Sequence, residues 1–394
     1  MKRVVERLVS WIPDLVLFAL ALLAQGVVMV AMLRSSRSKP RRALLMCCCG
    51  ISSLAMTAGF VLRSGLVLRM LHGNGPIWAR AVLFAWTLLV LCWAVTYLAL
   101  RLTHRSFPNV RLRGRFQSTR RNFLRAVGSA VYAAPVAALG YGAIIQRRDI
   151  SLREHEIPIA GLHEDLNGLR LVQITDIHMS AFFSRAELDY AIAMANETRA
   201  QIALVTGDLI TSTRDPLDSC LEGLKALRAD AGVFGCLGNH EIYARAEDYV
   251  EQAGARQGLR ILRGTNATVR FGNARLNLAG VDYQRMNKPY LEGAGRLIAP
   301  DACNVMLSHN PDVFDVAARQ GYDLTVSGHT HGGQVRVEIL GADLNMARFF
   351  TPYVDGIYRK DKSAIFVSRG LGTIGIPARL GAPPEVTLLR LRRA

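Results

Sequence analysis

Polar residues with metal-binding side chains recur through the second half of this chain, and each group follows a short apolar run. The runs are Arg170–Thr175, Ile202–Thr206, Gly232–Leu237, Asn304–Ser308 and Leu324–Ser327. The polar residues that follow them are Asp176, His178, Asp208, Asn239, His240, His309, His329 and His331. Short apolar runs closed by Gly and polar residues are typical of strands that are buried on both faces. Because ligands collect beyond the carboxyl ends of such strands, these residues are predicted to form one site.

The side-chain types of this site favour divalent cations. Carboxylate, amide and imidazole groups suit Mn, Fe, Zn or Ni, and the lack of cysteine at these positions argues against a thiolate zinc site. The set holds more ligands than one ion needs, so a pair of ions bridged by one carboxylate is the economical interpretation. Two metals about 3.5–4 Å apart are a standard arrangement for phosphate-ester hydrolysis. The alternative, strand-end caps or satisfied core histidines, explains any single residue but not the ordered set.

Spacing within the set gives a geometric expectation. Asp176 and His178 are two residues apart, so on a regular strand their side chains would face the same side. His329 and His331 are also two apart and would reach neighbouring ions. An ionised carboxylate offers about four lone-pair sites, which allows one aspartate to bridge two cations.

Three glycines precede candidate ligands in the sequence: Gly207, Gly238 and Gly328. Glycine adopts positive φ angles at little cost because it has no Cβ atom. We therefore expect these glycines to permit the unusual backbone turns that aim the ligands inward.

The motifs D-x-H, G-D, G-N-H, S-H-N and G-H-x-H, in this order, resemble the calcineurin-like metallophosphoesterase superfamily. The resemblance covers Leu169 to the C-terminus. The segments Leu307–Asp312 and Gly328–Gln334 are similar to a narrower group of bacterial membrane-associated or twin-arginine-exported phosphoesterases, some acting on UDP-diacylglucosamine. The resemblance implies an α/β fold, a four-layer α/β/β/α sandwich of two facing sheets, with metal-dependent phosphoesterase activity.

The resemblance also implies a role for each residue. The first divalent ion would be held by Asp176, His178 and His331. The second would be held by Asn239, His309 and His329. Asp208 would bridge the two ions, and His240 would lie beside the leaving group as an acid or transition-state stabiliser. The residues closest to the chemistry would then be His240, Asp208 and Asn239.

Glu241 departs from the family pattern. Many relatives follow G-N-H with Asp, whereas this chain has Glu at that position. The extra methylene leaves the orientation of His240 open, but it removes no ligand.

The first 145 residues contain four stretches of about twenty mostly apolar residues, the length that a bilayer-spanning helix needs. They are Ile12–Leu33, Ala43–Leu62, Ala81–Leu100 and Ala126–Ile145. Helices of a soluble α domain would show a polar face, and these show almost none. We predict a membrane domain with about four transmembrane helices at 1–145, a tether at 146–163 and a metallophosphoesterase domain at 164–394.

Charge divides the chain in the same way. Residues 1–150 contain 21 Lys and Arg against 3 Asp and Glu, whereas the remainder contains 27 against 28. The high isoelectric point therefore comes from the loops between membrane helices and not from the C-terminal domain. A basic surface for nucleic acid is disfavoured, so the expected partners are a phosphoester substrate, favoured to be a membrane lipid, and the membrane itself.

Basic loops also predict the orientation. Arg34–Arg42 carries five basic residues and Arg101–Arg125 carries eight, so both loops are expected in the cytoplasm. Four spans then place the C-terminal domain on the outer, periplasmic side of a bacterial cytoplasmic membrane, although three basic residues near the N-terminus oppose this. Arg120 and Arg121, ahead of the fourth span, resemble a twin-arginine export signal. The alternative is an ordinary basic flank.

The sequence thus predicts an integral membrane phosphoesterase that hydrolyses phosphomonoesters or phosphodiesters, favouring a nucleotide-linked glycolipid such as UDP-diacylglucosamine. A catalytically silent phosphoester-binding or scaffold module is one alternative, which a missing ligand would favour. A metal-dependent nuclease on the same fold is the other, which the neutral domain charge disfavours. Loop residues that could receive an anionic head group are Arg185, Tyr283, Arg285, Lys288 and Arg379.

Overall fold

This computed structural model describes residues 2–63, 73–106, 117–284, 290–339 and 342–394. Its contacts divide the chain into two compact units, Met1–Gly140 and Tyr141–Ala394. The predicted loop residues Arg285 and Lys288 lie outside the described residues, as does the central part, 107–116, of the second basic loop.

Four long helices account for the N-terminal part of the described chain. They are α1 (Lys2–Ser35), α2 (Lys39–Arg63), α3 (Gly75–Ser106) and α4 (Gln117–Ile144). Four stretches long and apolar enough to cross a membrane lie in these helices, the last of them continuing beyond α4 to Arg148, and they overlap the four predicted spans. Gln25, a polar residue within α1, donates from Nε2 to the Cys49 carbonyl at 2.9 Å and to Ser53 Oγ at 2.7 Å. Such pairing satisfies an amide that lipid could not.

The second unit alternates strands and helices. The helices are α5 (Arg185–Glu197), α6 (Leu217–Leu224), α7 (Asn239–Ala244), α8 (Glu247–Arg256) and α9 (Phe314–Gln320). The strands of its first half are β1 (Ser151–Ile159), β2 (Arg170–Ile174), β3 (Ile202–Val205), β4 (Val233–Gly235), β5 (Leu259–Ile261), β6 (Thr265–Phe271) and β7 (Ala274–Gly280). Those of its second half are β8 (Cys303–Leu307), β9 (Leu324–Ser327), β10 (Arg336–Ile339), β11 (Ala342–Asn345), β12 (Gly356–Lys360), β13 (Ser363–Val367) and β14 (Glu385–Arg393).

Two six-stranded mixed sheets and one hairpin organise these strands. The first sheet has the order β1-β14-β2-β3-β4-β5 and the second β12-β13-β9-β8-β7-β6, while β10 pairs with β11. Strands β2 to β5 are parallel, as are β7, β8, β9 and β13. The five apolar runs identified in the sequence are β2, β3, β4, β8 and β9, at the centres of the two sheets.

Apolar packing shows that the two sheets face each other. One core cluster joins Leu171 and Leu204 of the first sheet to Leu278, Val305 and Phe366 of the second. A second cluster lies on the other face of the first sheet, where residues of α5, α6 and α8 cover it. A third includes residues of β7, β8 and α9 on the outer face of the second sheet. The predicted four-layer α/β/β/α sandwich is therefore confirmed.

The predicted tether differs from the structure over Ser151–Ile159, which form strand β1 and pair in parallel with β14. The polar composition that indicated a linker belongs to an edge strand with a charged outer face. Glu154 accepts from Arg390 at 2.8 Å, and Glu156 accepts from Arg392 at 2.9 Å. Charged residues on an edge strand protect it from pairing with other chains, so polarity alone did not reveal this strand.

Candidate metal centre

The loops after β2 and β3 hold the first candidate ligands in a strained backbone conformation. Asp176, His178 and Asp208 have φ angles of 49°, 46° and 55°, in the left-handed region that non-glycine residues rarely adopt. Because β2 ends at Ile174, Asp176 and His178 follow the strand, and the same-side geometry that a regular strand would give them does not apply. His329 and His331 are also left-handed, at 77° and 54°. Strain of this kind persists where the surrounding structure fixes it, commonly at functional sites.

The three glycines serve two different purposes. Gly207 has a φ of +91°, as expected. Gly238 and Gly328 lack a positive φ, but a Cβ atom at either would lie 2.1 Å from a carboxylate oxygen, that of Asp208 or of Asp176 respectively. These two glycines are therefore required by close approach and not by backbone angle.

One group of candidate ligands consists of Asp176, His178 and His331. Its potential ligand atoms all lie within 4.8 Å of one another, and all three residues are buried. Nε2 of His331 lies 3.2 Å from Nε2 of His178 and 3.4 Å from Oδ1 of Asp176. The backbone N–H of His329 donates to both Asp176 oxygens at 3.0 Å, which ties the last histidine loop to the first carboxylate.

A second group consists of Asp208, His309 and His329, again with ligand atoms within 4.8 Å of one another. Asp208 lies between the two groups, because its Oδ2 is 3.0 Å from His309 Nε2 and 3.4 Å from His178 Nε2. The structure thus brings these candidates to one place. Asn239, the first residue of α7, has a buried Oδ1 without a hydrogen-bond partner in the described structure.

Backbone carbonyls orient two of the imidazoles. Nδ1 of His309 lies 2.7 Å from the Thr206 carbonyl, and Nδ1 of His240 lies 2.7 Å from the Thr211 carbonyl. Because a carbonyl only accepts, both Nδ1 atoms carry the hydrogen, which leaves Nε2 free to act as a ligand or base. His309 Nε2 is buried, and despite its short distance to Asp208 it has no aligned hydrogen bond.

Burial and the two carboxylates set the protonation of the site. Burial raises the pKa of Asp176. Burial would also raise the pKa of Asp208, but His309 and His178 hold it well below the usual value. Burial would lower the pKa of His309, but Asp208 and Asp176 raise it to about 10. Burial lowers the pKa of both His178 and His329 to about 3, so these imidazoles are neutral.

Glu241 has a role that the sequence did not reveal. Its buried carboxylate accepts backbone N–H groups from Asp208 at 2.9 Å, Leu209 at 2.8 Å and Gly238 at 2.8 Å. It therefore joins the loop after β3 to the loop after β4. The longer side chain that stands in place of Asp reaches backbone groups of both loops.

The described loop residues that could receive an anionic head group lie in three different parts of the structure. The ring of Tyr283 lies 5.4 Å from that of His329, beside the site. Arg185 instead pairs with Asp189 at 2.7 Å on α5. Arg379 is fully buried, and its guanidinium donates to the Gly372 and Arg369 carbonyls at 2.9 and 2.8 Å. Its Nη2 lies 3.2 Å from His331 Nδ1, so Arg379 supports the histidine loop and is not a surface receptor.

The residues present suit a metal centre. Carboxylate, amide and imidazole donors are the ligands that divalent transition metals take in proteins. One buried atom that lacks a hydrogen-bond partner in the described structure, Asn239 Oδ1, is of ligand type. A buried polar atom without a partner costs free energy unless something binds it. These Asp and His groups could therefore hold a metal ion.

Comparison with known proteins points in the same direction. A family model described as "Calcineurin-like phosphoesterase" matches residues 169–333. An uncharacterized metallophosphoesterase of Bacillus subtilis, YkuE, is 26% identical over 70% of this chain and 98% of its own length. A zebrafish (Danio rerio) "transmembrane protein with metallophosphoesterase domain" is 30% identical over 71% and 68%. The Escherichia coli phosphodiesterase YaeI is 26% identical over 69% and 99%.

Proposed function

This chain belongs to the calcineurin-like phosphoesterases and is a metal-dependent hydrolase, and we propose that it is membrane-anchored and acts through two divalent ions. One observation carries the proposal of two ions. Oδ2 of Asp208 lies within 3.4 Å of imidazole nitrogens from both ligand groups, those of His178 and His309. A carboxylate in that position is suited to bridging.

We assign the ligands accordingly. One ion would be held by Asp176, His178 and His331 and the other by Asn239, His309 and His329, and Asp208 would be shared. The unpartnered Asn239 Oδ1 and the grouping of His309 and His329 with Asp208 support the second set. When bound, two such metal ions would polarise phosphoryl oxygens and supply a nucleophile from water near neutral pH.

His240 is the proposed proton donor to the leaving group. Its Nδ1–H donates a hydrogen bond to the Thr211 carbonyl, so its Nε2 is the atom that exchanges a proton. Its ring lies edge-on to that of His178, with centroids 4.8 Å apart, which keeps it beside the ligands. Its backbone N–H donates to Asp208 Oδ1 at 2.9 Å. His240 is therefore positioned by the same carboxylate that we assign as the bridge.

The substrate that we propose is an amphiphilic phosphoester, such as a nucleotide-linked glycolipid, presented at the bilayer. The fourth apolar stretch extends over Ala126–Arg148, and the first strand of the catalytic unit begins at Ser151. Only two residues separate them, and this short connection supports a substrate that is presented by the membrane. On the basis of the basic loops we also propose that this unit lies on the outer side of the cytoplasmic membrane.

The test is a substrate screen with the full-length chain reconstituted in lipid nanodiscs and loaded with Mn²⁺. Lipid phosphoesters in the disc, including UDP-diacylglucosamine, are compared with soluble nucleotides and with bis(p-nitrophenyl) phosphate. Among these substrates we expect a lipid phosphoester in the disc, such as UDP-diacylglucosamine, to be hydrolysed with the highest kcat/KM. Rapid turnover of soluble nucleotides with no turnover of any lipid would contradict the proposed substrate class.

A further inference from the structure

The hairpin of β10 and β11 has its apolar face outward. Val337 and Leu344 form a cross-strand pair and are 37% and 57% exposed. The adjacent pair, Arg336 and Asn345, lies on the opposite face. Asn345 is buried there and donates from Nδ2 to the Gly332 carbonyl at 3.1 Å. A two-stranded hairpin on a soluble domain shows the reverse arrangement, with the polar face toward water.

The apolar surface continues into the turn that follows β11. Met346, Phe349 and Phe350 are 64%, 80% and 70% exposed. We name Val337, Leu344, Met346, Phe349 and Phe350 together the apolar hairpin surface. Contiguous exposed apolar residues of this kind mark a site of contact with a partner or a membrane.

Ion pairs on the opposite face of the hairpin hold the apolar hairpin surface in place. The carboxylate of Asp343 on β11 forms ion pairs with Arg336 at 2.8 Å and with Arg348 at 2.9 Å. Arg336 also lies 3.6 Å from Asp355, just ahead of β12. The outward direction of the apolar side chains is therefore fixed by polar contacts on the inner face.

The root of the hairpin lies close to Gly142 in the last turn of α4, and residues from 141 onward belong to the same compact unit as the hairpin. Leu380 donates to the Gln334 carbonyl at 2.8 Å and accepts from Arg336 at 2.7 Å. The neighbouring Arg379 donates its backbone N–H to the Gly142 carbonyl at 3.1 Å. Hydrogen-bonded backbones lie about 4.8 Å apart, so the hairpin root is about 10 Å from Gly142.

We propose that the apolar hairpin surface inserts into the lipid bilayer that α4 crosses. The occupant is lipid because the hairpin root lies beside the residues through which the chain leaves its last apolar span. The hairpin begins three residues after Gly333, in the turn that carries His331, so insertion holds the metal centre at the interface where phosphoester head groups lie. This inference rests on the proposed membrane anchoring.

Tryptophan quenching by brominated acyl chains tests the surface directly. The four native tryptophans are at positions 11, 78, 86 and 93, so the catalytic unit contains none. Full-length Phe349→Trp and the control Tyr249→Trp are each reconstituted in nanodiscs made with plain or brominated lipid. Tyr249 is 47% exposed and lies on α8, which packs beside β5. The strand that follows the fourth apolar stretch is β1, and in the first sheet β5 is five strand spacings, about 24 Å, from β1. Position 249, beside β5, is therefore far from β1.

Quenching of the wild-type protein reports the anchoring, and the emission added by each new tryptophan reports its own position. We expect the emission added at 349 to be quenched and that added at 249 to be unaffected. Equal behaviour at both positions would overturn the inference while leaving the anchoring intact. A blue-shifted but unquenched emission at 349 would also overturn it, because a protein partner and not lipid would then cover the surface.

A second measurement links the surface to catalysis. Phe349→Ser combined with Phe350→Ser should lower the ratio of lipid turnover to bis(p-nitrophenyl) phosphate turnover by about a hundredfold, because each of the two buried Phe side chains contributes about a tenfold partition. The single change Tyr249→Ser is the control and should leave the ratio unchanged. An unchanged ratio in the double variant would count against the surface's role in presenting lipid.

Discussion

The carboxylate of Glu241 accepts the backbone N–H of Asp208 at 2.9 Å. The same oxygen accepts the Gly238 N–H, and the other oxygen accepts that of Leu209. The bridging carboxylate that we propose is therefore held through its own main chain by a second, buried carboxylate. Closure of the two loops on each other leaves no room for a Cβ atom at Gly238.

Replacement of Glu241 should consequently disturb metal binding although the residue is not a proposed ligand. Glu241→Ala leaves three buried N–H groups without an acceptor, at about 1–3 kcal/mol each. We expect the midpoint of thermal unfolding to fall by at least roughly 6 °C, with a parallel loss of metal. Calorimetry and metal analysis of the purified chain measure both. Glu222→Ala is the control, since that side chain is 71% exposed, and equal metal content in the two variants would contradict the positioning role.

The supporting role of the buried Arg379 can be tested by substitution. Arg379→Met removes the donors to the Gly372 and Arg369 carbonyls and to the region of His331. We expect a loss of about 3 kcal/mol in the free energy of unfolding, with little change in the KM for bis(p-nitrophenyl) phosphate. A head-group receptor would behave in the opposite way, with a raised KM and unchanged stability. Arg392→Met, at a side chain 37% exposed, is the matched control.

The central parallel strands and the ordered polar residues could be read from the sequence because both are signalled locally. A buried strand such as Ile202–Val205 is a continuous apolar run, and the candidate ligand Asp208 follows it after Thr206 and Gly207. The order of these groups along the chain was enough to indicate the family and, through it, the sandwich.

What the sequence did not reveal depends on contacts between distant segments. Strand β1 pairs with β14, more than 200 residues away, and its charged outer face looks like a linker. The burial of Arg379 depends on carbonyls from separate loops, and a lone arginine in a loop gives no sign of it. The left-handed backbone of Asp176 and His178 could not be predicted, because nothing in the residue types reports it.

Metal loading should release a proton from His309. In the metal-free protein Asp208 and Asp176 raise the pKa of His309 to about 10 against the effect of burial, whereas His178 and His329 titrate at about 3. At pH 7 only His309 of these three is protonated, and a metal ion requires its lone pair. We expect release of about one proton per chain and a metal affinity that rises between pH 7 and 10.

Titration calorimetry with Zn²⁺ in two buffers of different protonation enthalpy counts that proton. His309→Asn should abolish the release. His163→Asn, at an exposed position outside the site, should not alter it. Metal affinity that does not change between pH 7 and 9 would contradict the assignment.

The orientation of the membrane domain can be tested at the twin-arginine-like segment, which lies in the first turns of α4. Changing Arg120 and Arg121 together to Lys preserves the charge but should spoil a true export signal. We expect the C-terminal unit to be accessible to protease in spheroplasts of the unaltered protein and protected in the double variant. The control pair, Arg41→Lys with Arg42→Lys, should remain accessible. A unit protected in the unaltered protein would reverse the proposed orientation.

The most direct test of the central claim is the number of metal ions bound by the purified full-length chain and by two of its variants. We predict about two divalent ions per chain in the unaltered protein. Asp208→Asn should lose both ions together with turnover of bis(p-nitrophenyl) phosphate. His240→Ala should keep both ions while its turnover falls by about 10²–10⁴-fold. Retention of both ions and of full activity in Asp208→Asn would contradict a metal pair bridged by this carboxylate.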